Sequence, residues 1–560
     1  MIQTDETSRT SDIKTVLDKA PGLGCVDLIN SLYCEHKLEG RTPLAYAVYQ
    51  NNETVVQNLV SCKADLAVVM GHSTTALTLA VTNAKFDGSS MVRLLLSMGA
   101  DPAEIDKAGI VEKDLNITMQ YWFRKAKAIG RKSKKDLERL ELVPPMHRMH
   151  ELQYALVGQF VAMNMITSAL NSRFCNAEAQ AKPLVMLLLG PPGHGKTEIS
   201  RNVAKSLVHK DNFLEIACGG LRDDADLFGS NLGGAGRGSE GQLAAYLRPR
   251  QNENTIIFLD EFEKFKGLTS YLGHGQDKKM YQAFLELWEG LLTDNGRTGK
   301  GTKINAKRVI WVLTSNWGQN EILHFAEEHK DQVYRKMDEA TLSIVNHKLI
   351  AEKLQPLVMK NFGEVDNELQ ALSRRISVIA PFLPFTNEEQ LVVADCKLRH
   401  RFQQYRAPAV HPSKKKGSGF DDKSRLYGNL NLQHTASYCR YVAKQYRPMF
   451  GADSFTNPPA HADGNFLTKI NENKFELDEE VMRRILSTSA NPKQGLPFVP
   501  EPQFWVHHDT STNEVKVLKQ EPPDPGERLE LNSSADGVEA AAAVSASYSP
   551  SSAPIVDPFS

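Results

Sequence analysis

The chain has 560 residues, of which 41% are apolar, with 66 lysines and arginines against 67 aspartates and glutamates. That length allows several domains with real cores, and the balanced charge excludes a general polyanion or anionic-membrane binder. Seven scattered cysteines without a C-x-x-C pair exclude a zinc ribbon, and no apolar run reaches the ~18 residues of a membrane helix.

The first segment, 1–24, is polar, carries acids early and is expected to be flexible. It has the pattern of neither a secretory signal nor an arginine-rich transit peptide, so the expected compartment is the reducing cytosol. Over 25–103 a repeat emerges. Thr42-Pro43-Leu44-Ala45-Tyr46-Ala47-Val48 matches Thr75-Ala76-Leu77-Thr78-Leu79-Ala80-Val81, and the two starts lie 33 positions apart. Each leads to an apolar helix and a closing turn, at Ser61-Cys62-Lys63-Ala64-Asp65 and at Ser97-Met98-Gly99-Ala100-Asp101. The copies resemble ankyrin repeats, whose period is about 33. Gly99 suits a helix end with positive φ, and Lys63 fits there less well. Two copies need capping by a degenerate copy before residue 40 or by helices after 103. The resemblance implies a surface that binds protein clients or adaptors, the alternative being a packing module.

Residues 104–150 have the charge and pattern of a helical connector, with a basic cluster at Arg131–Lys135. Neither this nor the basic stretch near Lys414 interleaves aromatics, so no nucleic-acid role is expected.

The apolar strand Leu184 to Leu189 runs into Gly190-Pro191-Pro192-Gly193-His194-Gly195-Lys196-Thr197 and then a helix opening at Glu198. This is a G-x-x-x-x-G-K-T phosphate loop in its required setting. Backbone N–H groups of such a loop surround phosphates, Lys196 reaches the β and γ phosphates of ATP, and Thr197 is a ligand for Mg²⁺. A second buried-strand pattern, Ile256-Ile257-Phe258-Leu259, ends in Asp260-Glu261. Asp260 is the expected Mg²⁺ residue and Glu261 the expected base that polarises water. A third strand, Val309 to Leu313, ends in Thr314-Ser315-Asn316. It places the Asn316 amide at the carboxyl edge of a parallel sheet, where ligands bind.

From about 150 to 490 these motifs resemble Clp-type AAA+ ATPases, especially the second motor module of the disaggregase branch. Val157-Gly158-Gln159 is similar to the family's motif beside adenine, and Leu292-Thr293-Asp294 to its T-D-x-x-G-R. Leu227-Phe228-Gly229 through Gly241-Gln242-Leu243 is similar to its pore-loop segment. The resemblance implies a large ATPase domain over 151–375 and a small helical lid over 376–490, within which the Pro-, Gly-, Ser- and Lys-rich stretch 407–428 reads as an exposed insertion. It implies hexameric rings, Asn316 as the first sensor residue, and Arg375 as the finger that reaches a neighbouring subunit's nucleotide, with Arg374 beside it. Two positions depart from the family. Gly234 stands where an aromatic grips threaded polypeptide, and Asp453 where an arginine contacts the γ-phosphate. About ten residues around Leu268 to Lys279, including Tyr271, are inserted after the acids. Residues 491–560 are expected to be mostly disordered.

The expected fold class is thus multidomain, an all-α ankyrin module followed by an AAA+ α/β phosphate-loop domain with a helical lid. The expected function is ATP-driven protein remodelling, unfolding or disaggregation, with hydrolysis weak or partner-stimulated. The alternative is a nucleotide-dependent ankyrin scaffold. By family resemblance the alternative compartment is the mitochondrion.

Overall fold

The computed structural model describes residues 42–69, 74–83, 87–129, 149–176, 179–221, 225–228, 241–264, 284–294, 302–334, 339–362, 371–403, 405, 430–455 and 503–519. The basic cluster, Gly234, Tyr271 and the 407–428 segment lie outside them.

In the repeat module, the two threonines that mark the repeat are helix caps. Thr42 Oγ1 accepts from Ala45 N at 3.1 Å ahead of α1 (Pro43–Tyr49). Helix α2 (Glu53–Ser61) follows, and Thr75 and Thr78 form a reciprocal capping box that starts α3 (Ala76–Thr82). Such caps satisfy amides that the first turn leaves unpaired, at about 1 kcal/mol each. The next helix, α4 (Ser89–Ser97), and α2 end alike. Ala64 N donates to Leu59 O and Lys63 N to Val60 O, as Ala100 N does to Leu95 O and Gly99 N to Leu96 O. Both are Schellman closures, and Lys63 takes the positive φ (71°) that Gly99 takes at 99°. The mismatch expected of Lys63 is therefore accepted by the backbone. Helix α5 (Ile117–Ile129), in the expected connector, packs on α4 through Met119, Trp122 and Phe123 and caps the stack from its carboxyl side.

Helix α6 (Phe160–Cys175) leads into the α/β domain. Its strands are β1 (Leu184–Leu189), β2 (Phe213–Ala217), β3 (Thr255–Asp260), β6 (Val309–Ser315) and β7 (Val378–Pro381), in spatial order β2-β3-β6-β1-β7 and all parallel. A short antiparallel pair, β4 (Leu291–Asp294) and β5 (Thr302–Asn305), stands apart. β1, β3 and β6 are buried along nearly their whole length, which is why they read as unbroken apolar runs rather than alternating ones. Val185, Leu187, Ile257 and Trp311 fill one face of the sheet, while Met186, Leu188, Ile256 and Ile310 fill the other. Because β7 belongs to this sheet, the large domain extends past the boundary expected at 375.

The lid contains α8 (Asn387–Gln403) and α9 (Ala436–Ala443), numbered after α7 (Lys196–Leu207) of the large domain. It also carries a sheet that the helical expectation lacks. β8 (Asn431–His434) pairs in parallel with β9 (Gln503–Asp509), which forms a hairpin with β10 (Glu514–Leu518). Residues 503–519 are thus ordered within the segment expected to be mostly disordered. Phe504, Val506 and Val517 supply the reason, since they point into the lid core beside Leu432 and Tyr438.

Helix α5 also docks on α8 through one buried carboxylate. Asp395 accepts from Thr118 Oγ1 at 2.5 Å, Arg399 Nε at 2.8 Å and His434 Nε2 at 2.8 Å. Burial alone would raise its pKa, but Arg399 and His434 outweigh that and hold it well below the usual carboxylate range. The stabilisation is therefore present above the ordinary carboxylate pKa and lost as pH falls through the folded-state value. Asp395→Ala removes the nearer of the two carboxylates, Asp395 and Asp87, that face the largely buried Arg399 guanidinium, and should cost about 3 kcal/mol in urea unfolding at neutral pH. A loss below about 0.5 kcal/mol, the size of an exposed pair, would contradict this role.

Candidate nucleotide site

The sheet order brings the three sequence motifs together, because β1, β6 and β3 are successive neighbours and each motif follows a carboxyl end. The phosphate loop leaves β1 and turns into α7, whose first residue is Lys196. Lys196 is buried, and its Nζ donates to Gly190 O at 2.6 Å, Pro191 O at 2.8 Å and Asn316 Oδ1 at 3.1 Å. Burial lowers its pKa to about 8, against the opposing pull of Glu263 and Asp260. Asn316 in turn donates through Nδ2 to Glu263 Oε1 at 2.8 Å. The other oxygen of Glu263 is buried without a partner among the described residues.

Asp260 Oδ1 accepts from Thr314 Oγ1 at 2.5 Å and from Thr197 Oγ1 at 3.3 Å. The same Thr314 hydroxyl accepts from Glu261 N at 3.1 Å, so one β6 side chain holds the carboxylate of Asp260 and the backbone of Glu261. Glu261 sits at φ 56°, with its carboxylate half-exposed and paired to Lys264 Nζ at 2.6 Å. The hydroxyl and carboxylate of Thr197 and Asp260 are hard oxygen donors of the kind Mg²⁺ takes, and the buried cation of Lys196 beside them suits phosphate. A nucleotide with Mg²⁺ therefore fits these residues.

The phosphate loop is held from the other side by the lid. Gly193 lies at φ 72° with its carbonyl accepting from Ala452 N at 2.8 Å, and a Cβ there would collide with the Phe450 backbone. His194 stacks on Phe385, with ring centroids 5.0 Å apart. Its Nδ1 faces Pro192 O at 2.8 Å, which fixes the proton there and leaves Nε2 to accept from Tyr446 OH at 3.0 Å. Tyr446 OH also accepts from Phe385 N at 2.9 Å.

Val157 lines the same cleft, whereas Gly158 beside it is not among the lining residues and its N donates to Tyr121 OH at 2.8 Å. The cleft is a cavity of about 840 Å³ lined by Val157, Lys196, Thr197, Asp260, Glu261 and Asn316 among others, and Asp453 lines it too. Arg375 is not among its lining residues. It pairs with Glu289 and donates to Ala371 O at 2.7 Å, and Arg374 beside it is exposed. Sequence reasoning assigned no role to Thr314, Glu263, Tyr446 or Phe385. Thr314 stands within the third strand motif, whereas the contacts of Glu263, Phe385 and Tyr446 become visible only once the chain is folded.

Residues 186–323 match the model for the ATPase family associated with various cellular activities, and residues 19–106 match the model described as ankyrin repeats (3 copies). The chain carries an AAA ATPase domain and an ankyrin-repeat module. It is 27% identical over 274 residues to the chaperone protein ClpB of Chlamydia pneumoniae, covering 47% of this chain and 27% of that one. The mitochondrial disaggregases of Rattus norvegicus and Homo sapiens are each 27% identical over 331 residues, covering 56% of this chain and 46% and 44% of theirs. The chain therefore matches under half the length of these relatives. Its AAA domain is related to those of disaggregating chaperones, and no helix among the described residues is long and apolar enough to cross a membrane.

His194 gives the AAA domain a pH signature. Burial first, helped by Lys196 and opposed by the Pro192 carbonyl, pushes its pKa down to about 4, from an ordinary value of about 6.5. The unfolded chain takes up a proton below about pH 6.5 that the folded chain refuses, so stability falls towards pH 4 by up to about 1.4 kcal/mol per unit. His194→Gln should flatten that part of the urea-midpoint profile. An unchanged slope in the variant would show that the ring titrates normally.

Proposed function

We propose that this chain is an ATP-hydrolysing protein-remodelling factor whose ankyrin repeats recruit protein clients or adaptors. The observation that carries the reading is the single junction at Asp260, where Thr197, Thr314 and, through Thr314, Glu261 are held together. Lys196 binds the phosphates and Asn316 orients the γ-phosphate side. Glu261, released from Lys264, accepts the proton of the attacking water. Magnesium, when bound by Thr197 and Asp260, neutralises charge on the phosphates.

Arg375 acts in trans within a homo-oligomeric ring, which its place outside its own cleft supports. The reading is strengthened by the relatives' names, chaperone and disaggregase, and we place the protein in the cytosol. The mitochondrial setting in two of those names is the alternative. Asp453 in the cavity wall favours a second reading, a nucleotide-dependent ankyrin scaffold. An acid facing a triphosphate opposes turnover more than it opposes assembly.

Steady-state hydrolysis by the purified chain, with an unfolded model protein added or omitted, separates the two. Lys196→Ala should abolish nucleotide binding. Glu261→Gln should keep binding and slow turnover by about 10² to 10⁴, the range for a lost general base. Turnover that rises with unfolded protein supports remodelling. Binding without turnover supports the scaffold, and full turnover in Glu261→Gln would remove Glu261 from the mechanism.

A further inference from the structure

The cleft that begins at Lys196 does not end within the AAA domain. Its far wall is made by the ankyrin module and connector, with Asp87, Ser90 and Arg93 from the α4 region and Trp122 from α5. Two hydrogen bonds bind this wall to the strip beside the cleft. Lys125 Nζ donates to Leu156 O at 3.0 Å, and Tyr121 OH takes the Gly158 amide at 2.8 Å. Lys125 lies over the Tyr121 and Trp122 rings, and burial lowers its pKa to about 8.

Within that wall Arg93 differs from its neighbours. The Arg399 guanidinium is taken by Asp395 and Asp87, and that of Arg201 by Glu215. Arg93 is half-buried and makes no hydrogen bond or ion pair among the described residues, with the cationic Lys125 and the Cys396 thiol for electrostatic neighbours. An uncompensated guanidinium facing a shared cleft is a ready contact for a flat π-system or a ring of hydroxyls.

With the phosphates on Lys196 and Thr197, the remainder of a nucleotide has the rest of the same cleft to occupy, and Val157, Val393, Cys396 and Arg93 all line it. We propose that the ankyrin module is a working wall of the nucleotide site, with Arg93 as its contact to the base and ribose. This rests on the reading of the cleft as an ATP site. Coupling free energies are reciprocal, so whatever the wall adds to nucleotide affinity, bound nucleotide returns to the docking of α4 and α5 on the lid. A partner that draws the ankyrin helices away from the lid then weakens nucleotide binding without touching the phosphate loop.

The test is calorimetric titration of the full chain with Mg·ATP, Mg·ADP and Mg·tripolyphosphate, for the unaltered protein, Arg93→Ala, Arg93→Glu and Lys196→Ala. Because Arg93 makes no hydrogen bond or ion pair among the described residues, Arg93→Ala should melt with the parent, and it carries the test if the glutamate variant does not fold. The wall predicts that Arg93→Ala weakens ATP and ADP alike by roughly three- to thirty-fold, the range of a cation on a ring face, and leaves tripolyphosphate unchanged. Equal affinities for ATP in parent and Arg93→Ala overturn it, and so does an equal loss for tripolyphosphate, which would make Arg93 a general electrostatic contributor. If the parent does not bind ATP, or Lys196→Ala binds as well as the parent, the ATP reading of the cleft fails and the wall with it.

Discussion

One carboxylate oxygen, Oδ1 of Asp260, joins the ends of two strands to the first turn of a helix, and the rest of the site is arranged around it. Thr314 of β6 and Thr197 of α7 both donate to it. The bond holds only because β3 and β6 are paired in register up to Leu259 and Leu313. A parallel sheet buried on both faces cannot slip by one residue without turning every side chain to the wrong side. The chemistry at the edge thus inherits its precision from apolar side chains such as Trp311 and Ile257 in the middle, which never meet a nucleotide.

Around that fixed edge the remaining parts attach by polar contacts. The lid grips the phosphate loop through Gly193, His194 and Tyr446, and the connector grips the lid through Thr118 and Asp395. Each joint combines a few hydrogen bonds with a small packed patch, His194 on Phe385 at the first and Ile117 against Val392 at the second. Domains joined so are able to shift against one another when a ligand changes the balance. The path from connector to cleft is short, since Lys125 donates to the carbonyl of Leu156, which lines the cleft, and Tyr121 accepts from the Gly158 amide two residues on.

Much of this was legible in the chain itself. The apolar runs of β1, β3 and β6 with their polar ends gave both the sheet and the edge on which Lys196, Asp260, Glu261 and Asn316 converge, because buried parallel strands leave no other pattern. The spacing of Thr42 and Thr75 marked the repeat, and the structure explains it through capping. What stayed hidden depends on contacts far apart in sequence. β9 alternates Phe504, Val506 and His508 inward, but proline-rich flanks disguised it, and its value as a strand comes from β8 about seventy residues earlier. Arg93 and Tyr121 look like ordinary helix-surface and helix-core residues until the module is seen docked. Arg375, by contrast, was named from resemblance, and within this chain it pairs with Glu289 and lies outside the cleft.

The most direct measurement is amide hydrogen exchange of the full chain with and without Mg·ATP. A cleft shared by phosphate loop, lid and ankyrin wall predicts slowed exchange in three separated places, namely 190–200, 446–455 and 117–129. Protection confined to the phosphate loop, with 117–129 unmoved, would contradict the account.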